Sequence, residues 1–287
     1  MEQLVFRLPD GRQLAALRHG PSGKSMIVFF HGTGNSGAAL TPDTSGLQDR
    51  GIGMLLVQRP GVGESTPLRG FSVGQLVQDV YRWLNALKVE KVYLLTYSSG
   101  ASYALAFARA YAELVSGIGL ISPVFPGRAA FVRSIPGVRY AWEEILLRGP
   151  VVDALFIRWL AIKVERQAEA FFERWIVEGP MADRVLYEQI HRRVALLGDL
   201  REAWKYKGQP VLDDLKALWR SQEIIEVDMP VTVWQGASDP AVNPENTRLL
   251  QSISRQTKLV HFPHLGRLMY LDQWPQIQQY ALDALAP

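Results

Sequence analysis

Ser98 stands where a serine hydroxyl can be turned into a reagent. Residues 92–108, VYLLTYSSGASYALAFA, read as a buried strand, a sharp turn and a helix. Val92, Tyr93, Leu94 and Leu95 form an apolar β-prone run, and Ala101, Ala104, Leu105, Ala108 and Ala110 are small or helix-forming residues placed straight after it. A strand-to-helix corner this tight strains its central residue and requires small neighbours two positions before and two after. Thr96 and Gly100 meet that need around Ser98. Centring the turn on Ser99 would put Tyr97 where a small residue belongs, so Ser98 is the better nucleophile. The alternative is an ordinary helix start with Ser98 as its N-cap.

Two further loops sit at strand ends. Met26 to Phe30 is an apolar run that stops at His31-Gly32-Thr33-Gly34, a loop able to turn a backbone N–H toward developing negative charge. Gly53 to Val57 is followed by Arg59-Pro60-Gly61-Val62-Gly63-Glu64-Ser65. With both of these motifs ahead of the Ser98 turn, the chain resembles the α/β-hydrolase superfamily, whose members carry a His-Gly loop, an Arg/Pro-Gly-x-Gly-x-Ser turn and a serine elbow in this order. The resemblance covers residues 1–123 and 229–287. It implies serine-nucleophile, esterase- or lipase-like hydrolysis of an ester, thioester or lactone of a small apolar molecule, with the N–H groups of Thr33 and Ser99 as oxyanion-hole donors. The alternatives are a non-hydrolytic lyase, cyclase or acyl-transfer reaction on an anionic substrate, or ligand binding without turnover. His31, Gly32, Tyr97 and Leu265, with Met269 nearby, are the expected substrate contacts.

Ser98 needs a base to take its proton and a carboxylate to orient that base. Val233-Trp234-Gln235-Gly236-Ala237-Ser238-Asp239-Pro240 matches the family's strand-Gly-x-x-Asp pattern, which implies Asp239 as the acid. The family's base follows a Pro-x-x-Gly, with an acidic residue five positions later. Here the alignment runs Pro263-His264-Leu265-Gly266-Arg267 with Asp272, so Arg267 stands at the histidine position. Arginine holds its proton at any ordinary pH and cannot collect one from Ser98. Three readings stay open. His264 serves as base if the loop folds back, although three extended residues span roughly 10 Å. Arg267 pairs with Asp239 and presents a fixed cation to an anionic substrate. Or Arg267 is an alteration of an active parent.

The remaining histidines are weaker candidates. His31 is read as bracing its loop, His191 as solvated, His261 as packed on the last strand and His19 as lying in a surface loop. None has metal-ligand spacing with another His or carboxylate, so no metal is expected. The glycines at 61 and 63 lack a following Gly-Lys-Ser/Thr, no dinucleotide fingerprint is present, and no cofactor is expected.

Over 287 residues the apolar and charged fractions, 48% and 21%, are those of a globular protein with a sizeable core. The net charge of +3 leaves no basic face, which argues against nucleic-acid binding. There is no cysteine, hence no disulfide framework. No apolar run approaches the roughly 20 residues of a membrane span, and the N-terminus has no signal-peptide pattern. A cytoplasmic protein acting on a small molecule is the expectation.

These residues must be held by an α/β scaffold. Leu4 to Leu8 and Gln13 to Arg18 alternate about Pro9-Asp10-Gly11 as an edge hairpin, Val73 to Leu87 has helical periodicity, and Val115 to Ile121 is a strand. Such alternation implies a mainly parallel sheet with helices on both faces. Between residues 124 and 228 strand-like runs vanish and aromatics recur at helical spacing, among them Trp142, Trp159, Phe171, Phe172, Trp175, Trp204 and Trp219. We read this segment as a helical cap between two core parts, 1–123 and 229–287. The core resumes with a strand at residues 230–234, a helix at 244–253, a last strand at 258–262 and a final helix at 271–285.

Overall fold

The computed structural model describes residues 1–125, 150–221, 225–239 and 244–286; Trp142 and Pro240 lie outside them. Eight strands make one sheet: β1 (Glu2–Arg7), β2 (Gln13–His19), β3 (Ser25–Phe30), β4 (Gly53–Gln58), β5 (Lys91–Tyr97), β6 (Val115–Ile121), β7 (Val231–Gly236) and β8 (Thr257–Phe262). Their order is β1-β2-β4-β3-β5-β6-β7-β8. The first hairpin is antiparallel and β2 runs antiparallel to β4, while β4, β3, β5, β6, β7 and β8 are mutually parallel. The expected α/β-hydrolase architecture is therefore present. Because β3 lies between β4 and β5, successive connections leave it in opposite directions, and a crevice opens beyond the carboxyl ends of β3 and β5.

The central strands are apolar on both faces because both faces are covered. Val28, Phe30, Leu94 and Val233 pack toward α2 (Val73–Ala86) and α3 (Gly100–Ala110). Ile27, Phe29, Tyr93, Leu95 and Trp234 pack on the other face with Trp274, Ile277 and Ala281 of the C-terminal helix (Tyr270–Ala284). A short helix α1 (Thr44–Asp49) follows the β3 loop.

Between β6 and β7 the described residues form helices only: α4 (Pro150–Glu178, kinked at Gln167), α5 (Met181–Glu188), α6 (Ile190–Trp204) and α7 (Gln209–Arg220). After β7 come α8 (Pro244–Ser252), β8 and the C-terminal helix, α9. No helix among the described residues is long and apolar enough to cross a membrane.

Two histidine expectations are corrected. His19 ends β2 and is buried, because β2 is an interior strand between β1 and β4. His261 is exposed, because β8 is the sheet's edge strand and its outer side chains meet solvent. His191 is exposed as expected.

Candidate functional site

The turn after β5 puts Ser98 at φ +55°, in the left-handed region that a β-carbon-bearing residue rarely occupies. The core pins it there. Ser98 N–H donates to the Ile121 carbonyl at 2.9 Å, and the Val124 N–H donates to the Ser98 carbonyl at 3.3 Å. A β-carbon on Gly100 would lie 2.1 Å from the Phe30 carbonyl oxygen, which is why the residue two after Ser98 must be glycine. Gly32 is similarly confined, since its β-carbon would meet that of Ser98 at 3.0 Å.

Ser98 opens onto a cavity of about 160 Å³. The core supplies Thr33, Gly34, Asn35, Tyr97, Ser99, Arg267, Leu268 and Tyr270 to its wall. The insertion supplies Leu160, Phe171, Phe172, Trp175, Leu196, Leu200, Trp204 and Leu215. The wall is thus mostly hydrocarbon and aromatic, with polar groups gathered at the Ser98 end. Of the expected contacts, Tyr97 lines the cavity, whereas His31, Gly32, Leu265 and Met269 do not.

Arg267 opens a short 3₁₀ turn (Arg267–Met269) after β8 and reaches the same cavity. Its Nε lies 3.6 Å from Oδ2 of Asp239, whose side chain is fully buried. Among the described residues neither Nε nor Nη2 of Arg267 has a hydrogen-bond partner. Burial disfavours the cation, but Asp239, then Tyr97 and Asp183, favour it more, and the guanidinium pKa ends above its usual value. Arg267 is therefore a permanent charge. His264 lies on an exposed turn, and its side chain does not line the cavity. The structure places Ser98 and Arg267 on one cavity wall, with Asp239 beside Arg267, and leaves His264 outside.

The expected oxyanion donors are arranged differently from one another. Ser99 opens helix α3, where backbone N–H groups have no acceptor within the helix. The Thr33 N–H instead donates to Ser99 Oγ at 2.8 Å. In this arrangement the Thr33 amide is committed to a neighbouring side chain.

Beneath this loop lies a buried network that pattern reading does not find. Arg59 Nη1 donates to both carboxylate oxygens of Asp214, at 2.8 and 2.7 Å. Tyr103 donates its hydroxyl to Oδ1 at 2.6 Å and Thr33 donates to Oδ2 at 2.5 Å. Arg59 Nη2 contacts His31 Nδ1 and the His31 carbonyl, both at 2.8 Å. Nδ1 of His31 also lies 2.9 Å from the Gly32 carbonyl, so this ring nitrogen is shared between Arg59 and the loop backbone. Burial, with the Arg59 cation second, holds the His31 pKa well below normal, so the ring is neutral. His31 does brace its loop.

Two other insertion aspartates hold core loops. Asp199 accepts from Asn35 Nδ2, from Ser36 N–H and Oγ, and from Ala39 N–H. Asp183 accepts from the N–H groups of Arg267 and Leu268, at 3.0 and 2.9 Å. The signal for Asp214 was faintly present: Asp213-Asp214 interrupts the apolar face formed by Val211, Leu212 and Leu215 on α7, and buried acids of that kind need partners.

The family model describing the alpha/beta hydrolase fold matches residues 26–273. The chain belongs to the α/β-hydrolase family. It is 33% identical over 289 residues to a Bacillus subtilis (strain 168) protein provisionally named 2-succinyl-6-hydroxy-2,4-cyclohexadiene-1-carboxylate synthase, covering 95% of this chain and 94% of that one. Among solved structures it is similar to an esterase from Thermogutta terrifontis, with 18% identity, TM-score 0.69 and full coverage of both chains. It is likewise similar to the enol-lactonase from Burkholderia xenovorans LB400, with 18% identity, TM-score 0.65 and coverage of 98% and 99%. These structural likenesses establish the shared fold. The protein is an enzyme of the α/β-hydrolase class.

Proposed function

We propose that this α/β-hydrolase-class enzyme acts on a small carboxylate-bearing molecule with an apolar body, in a lyase- or cyclase-type reaction rather than ester cleavage. The observation that carries this is Arg267: a cation in the Ser98 cavity whose Nε faces Asp239 and whose Nη2 has no hydrogen-bond partner among the described residues, where a hydrolase needs a proton acceptor. A guanidinium grips a carboxylate through paired N–H bonds. Asp239 fixes the arginine's position, Ser98 offers a hydroxyl to the bound molecule, and Tyr97 and Tyr270 stay neutral because burial raises their pKa values. The segment 124–228 acts as a cap whose aromatic and aliphatic side chains exclude water from the apolar body of the substrate. The printed name of the Bacillus subtilis relative, a synthase of a cyclohexadiene carboxylate, supports a ring-sized anionic ligand.

Benzoate and its neutral analogue benzamide test this directly. Calorimetry should show benzoate binding to the enzyme, benzamide binding at least tenfold more weakly, and Arg267→Gln losing the preference for the anion. Equal binding of the two probes would dismiss the reading.

A second reading, attack of Ser98 on an ester, thioester or lactone carbonyl, is favoured by the strained φ of Ser98. It predicts covalent labelling of Ser98 by a fluorophosphonate. With no imidazole available, hydrolysis of p-nitrophenyl acetate would be slow, by roughly the 10⁴-fold seen when a triad loses a member, and Arg267→His would raise it.

A further inference from the structure

We infer that Ser99 is a second determinant of reaction type: its hydroxyl occupies the Thr33 amide and so holds a latent oxyanion hole closed. The proton order of the network allows one arrangement. The Asp214 carboxylate only accepts, so the single proton of Thr33 Oγ1 goes to Asp214 Oδ2. Thr33 Oγ1 also lies 2.8 Å from Ser99 Oγ, and with its own proton spent it accepts there. Ser99 Oγ therefore donates to Thr33 Oγ1 and accepts from Thr33 N–H, making two hydrogen bonds to one residue. Ser99 is buried and Asp214 is tied to Arg59 and Tyr103, so the arrangement is anchored at both ends. The chain of donors runs from the Ser98 cavity, through Ser99 and Thr33, to a carboxylate supplied by the insertion.

The chemical consequence is specific. A tetrahedral anion on Ser98 needs donors aimed at its oxygen, and a donor already satisfied contributes little. The Thr33 N–H is 2.8 Å from a neutral hydroxyl oxygen that no reaction step displaces. Arg267 removes the base and Ser99 occupies the oxyanion donor, so two side chains of the Ser98 cavity disfavour acyl chemistry. This inference deepens the non-hydrolytic reading and rests on it for its biological sense, but its test does not.

Phenylboronic acid provides that test without requiring a base. Ser98 Oγ adds to boron, the serine proton passes to solvent, and the resulting tetrahedral boronate is an anion that uses the hole. Ser99→Ala should bind it about 10- to 100-fold more tightly than the parent, a part of what a single oxyanion donor is worth. Thr33→Val, which removes the hydroxyl that orders Ser99, should shift boronate affinity in the same direction and serves if Ser99→Ala does not fold. In an Arg267→His background, Ser99→Ala should raise kcat for p-nitrophenyl acetate at least tenfold with little change in KM. Unchanged or weaker boronate binding in folded variants would overturn the inference. If benzoate does not bind the parent at all, the anionic-substrate reading fails while the boronate comparison still decides the role of Ser99.

Discussion

The Ser98 turn and the loops beside it are held by different parts of the molecule. The turn is fixed mainly by the core: Ile121 accepts its amide, Phe30 leaves no room for a side chain at Gly100, and Gly32 lets the chain pass, with Val124 adding one bond to the Ser98 carbonyl. The flanking loops are fixed by the insertion. Asp199 gathers residues 35–39, Asp214 anchors Thr33 and Arg59, and Asp183 accepts the amides of residues 267 and 268. The position of Ser98 thus belongs to the sheet, and the groups around it belong to the pairing of sheet and helices. Chemistry at this site can change through the loops while the corner that carries Ser98 stays as it is.

The largest test of that division is Asp214→Ala. It leaves the Arg59 guanidinium buried without its carboxylate and takes the acceptor from Thr33 and Tyr103. Breaking one side of such a pair costs about 3–5 kcal/mol, which urea unfolding would measure. The double replacement Arg59→Met with Asp214→Leu should recover much of the loss, because burying two apolar groups carries no desolvation debt. A loss below about 1 kcal/mol for Asp214→Ala would mean that the insertion does not anchor the Thr33 loop.

Asp183→Ala should come next. It removes one carboxylate from two backbone amides and should cost about 2 kcal/mol, the scale of leaving partly buried donors unpaired. Because those amides belong to Arg267 and Leu268, the benzoate Kd should rise several-fold as the guanidinium loses its fixed base. Benzoate affinity that is indifferent to Asp183 would show that the 267 loop is positioned by the core after all.

What could be seen in the chain beforehand follows the same division. The strand at residues 115–121, the Ser98 corner and the helix after it are written in local periodicity and in small residues at fixed offsets and lie where those patterns put them, while the last strand, expected at 258–262, begins one residue earlier at Thr257. Asp239 and Arg267 were reachable because each follows a strand at a motif-defined distance. The contacts from Arg59 to Asp214 and from Thr33 to Ser99 span 155 and 66 residues, and no local pattern encodes partners so far apart. The aromatic spacing of the insertion marks helices, but which side chains face the cavity depends on docking: Phe172 and Trp204 do, while Trp159 is half exposed. His19 was misplaced because burial at a strand end depends on which strand becomes its neighbour.

That histidine separates the core from the insertion through pH. Burial, and then the charge of the N-terminal amine, lowers the His19 pKa from 6.5 to about 4. The unfolded chain therefore binds a proton that the folded one refuses, and stability falls as pH drops from 6.5 toward 4. Asp183 and Asp199 have the opposite sign. Burial raises their pKa values more than their hydrogen bonds lower them, so they withdraw stability as pH rises above 3.8. Thermal melts at pH 7 and 4.5 should show His19→Val losing less stability in acid than the parent. Asp199→Asn should change the profile in the reverse sense. Identical profiles for parent and His19→Val would remove the core from the acid response.

The smallest effect expected is at the surface. Arg192 of α6 and Asp272 of α9 form a second kind of tie between insertion and core, with Nη2 and Oδ1 2.6 Å apart. Its distance is as short as those in the Asp214 network, yet Asp272 is 39% exposed. Water already solvates the Asp272 carboxylate, and holding two long side chains together costs entropy, so such a pair is worth about 0.2–1 kcal/mol and less in salt. Asp272→Asn should shift the urea midpoint slightly at low ionic strength and not measurably in molar salt, with benzoate binding unchanged. A loss comparable to that of Asp214→Ala would mean that distance, and not burial, sets the strength of the ties between helices and sheet.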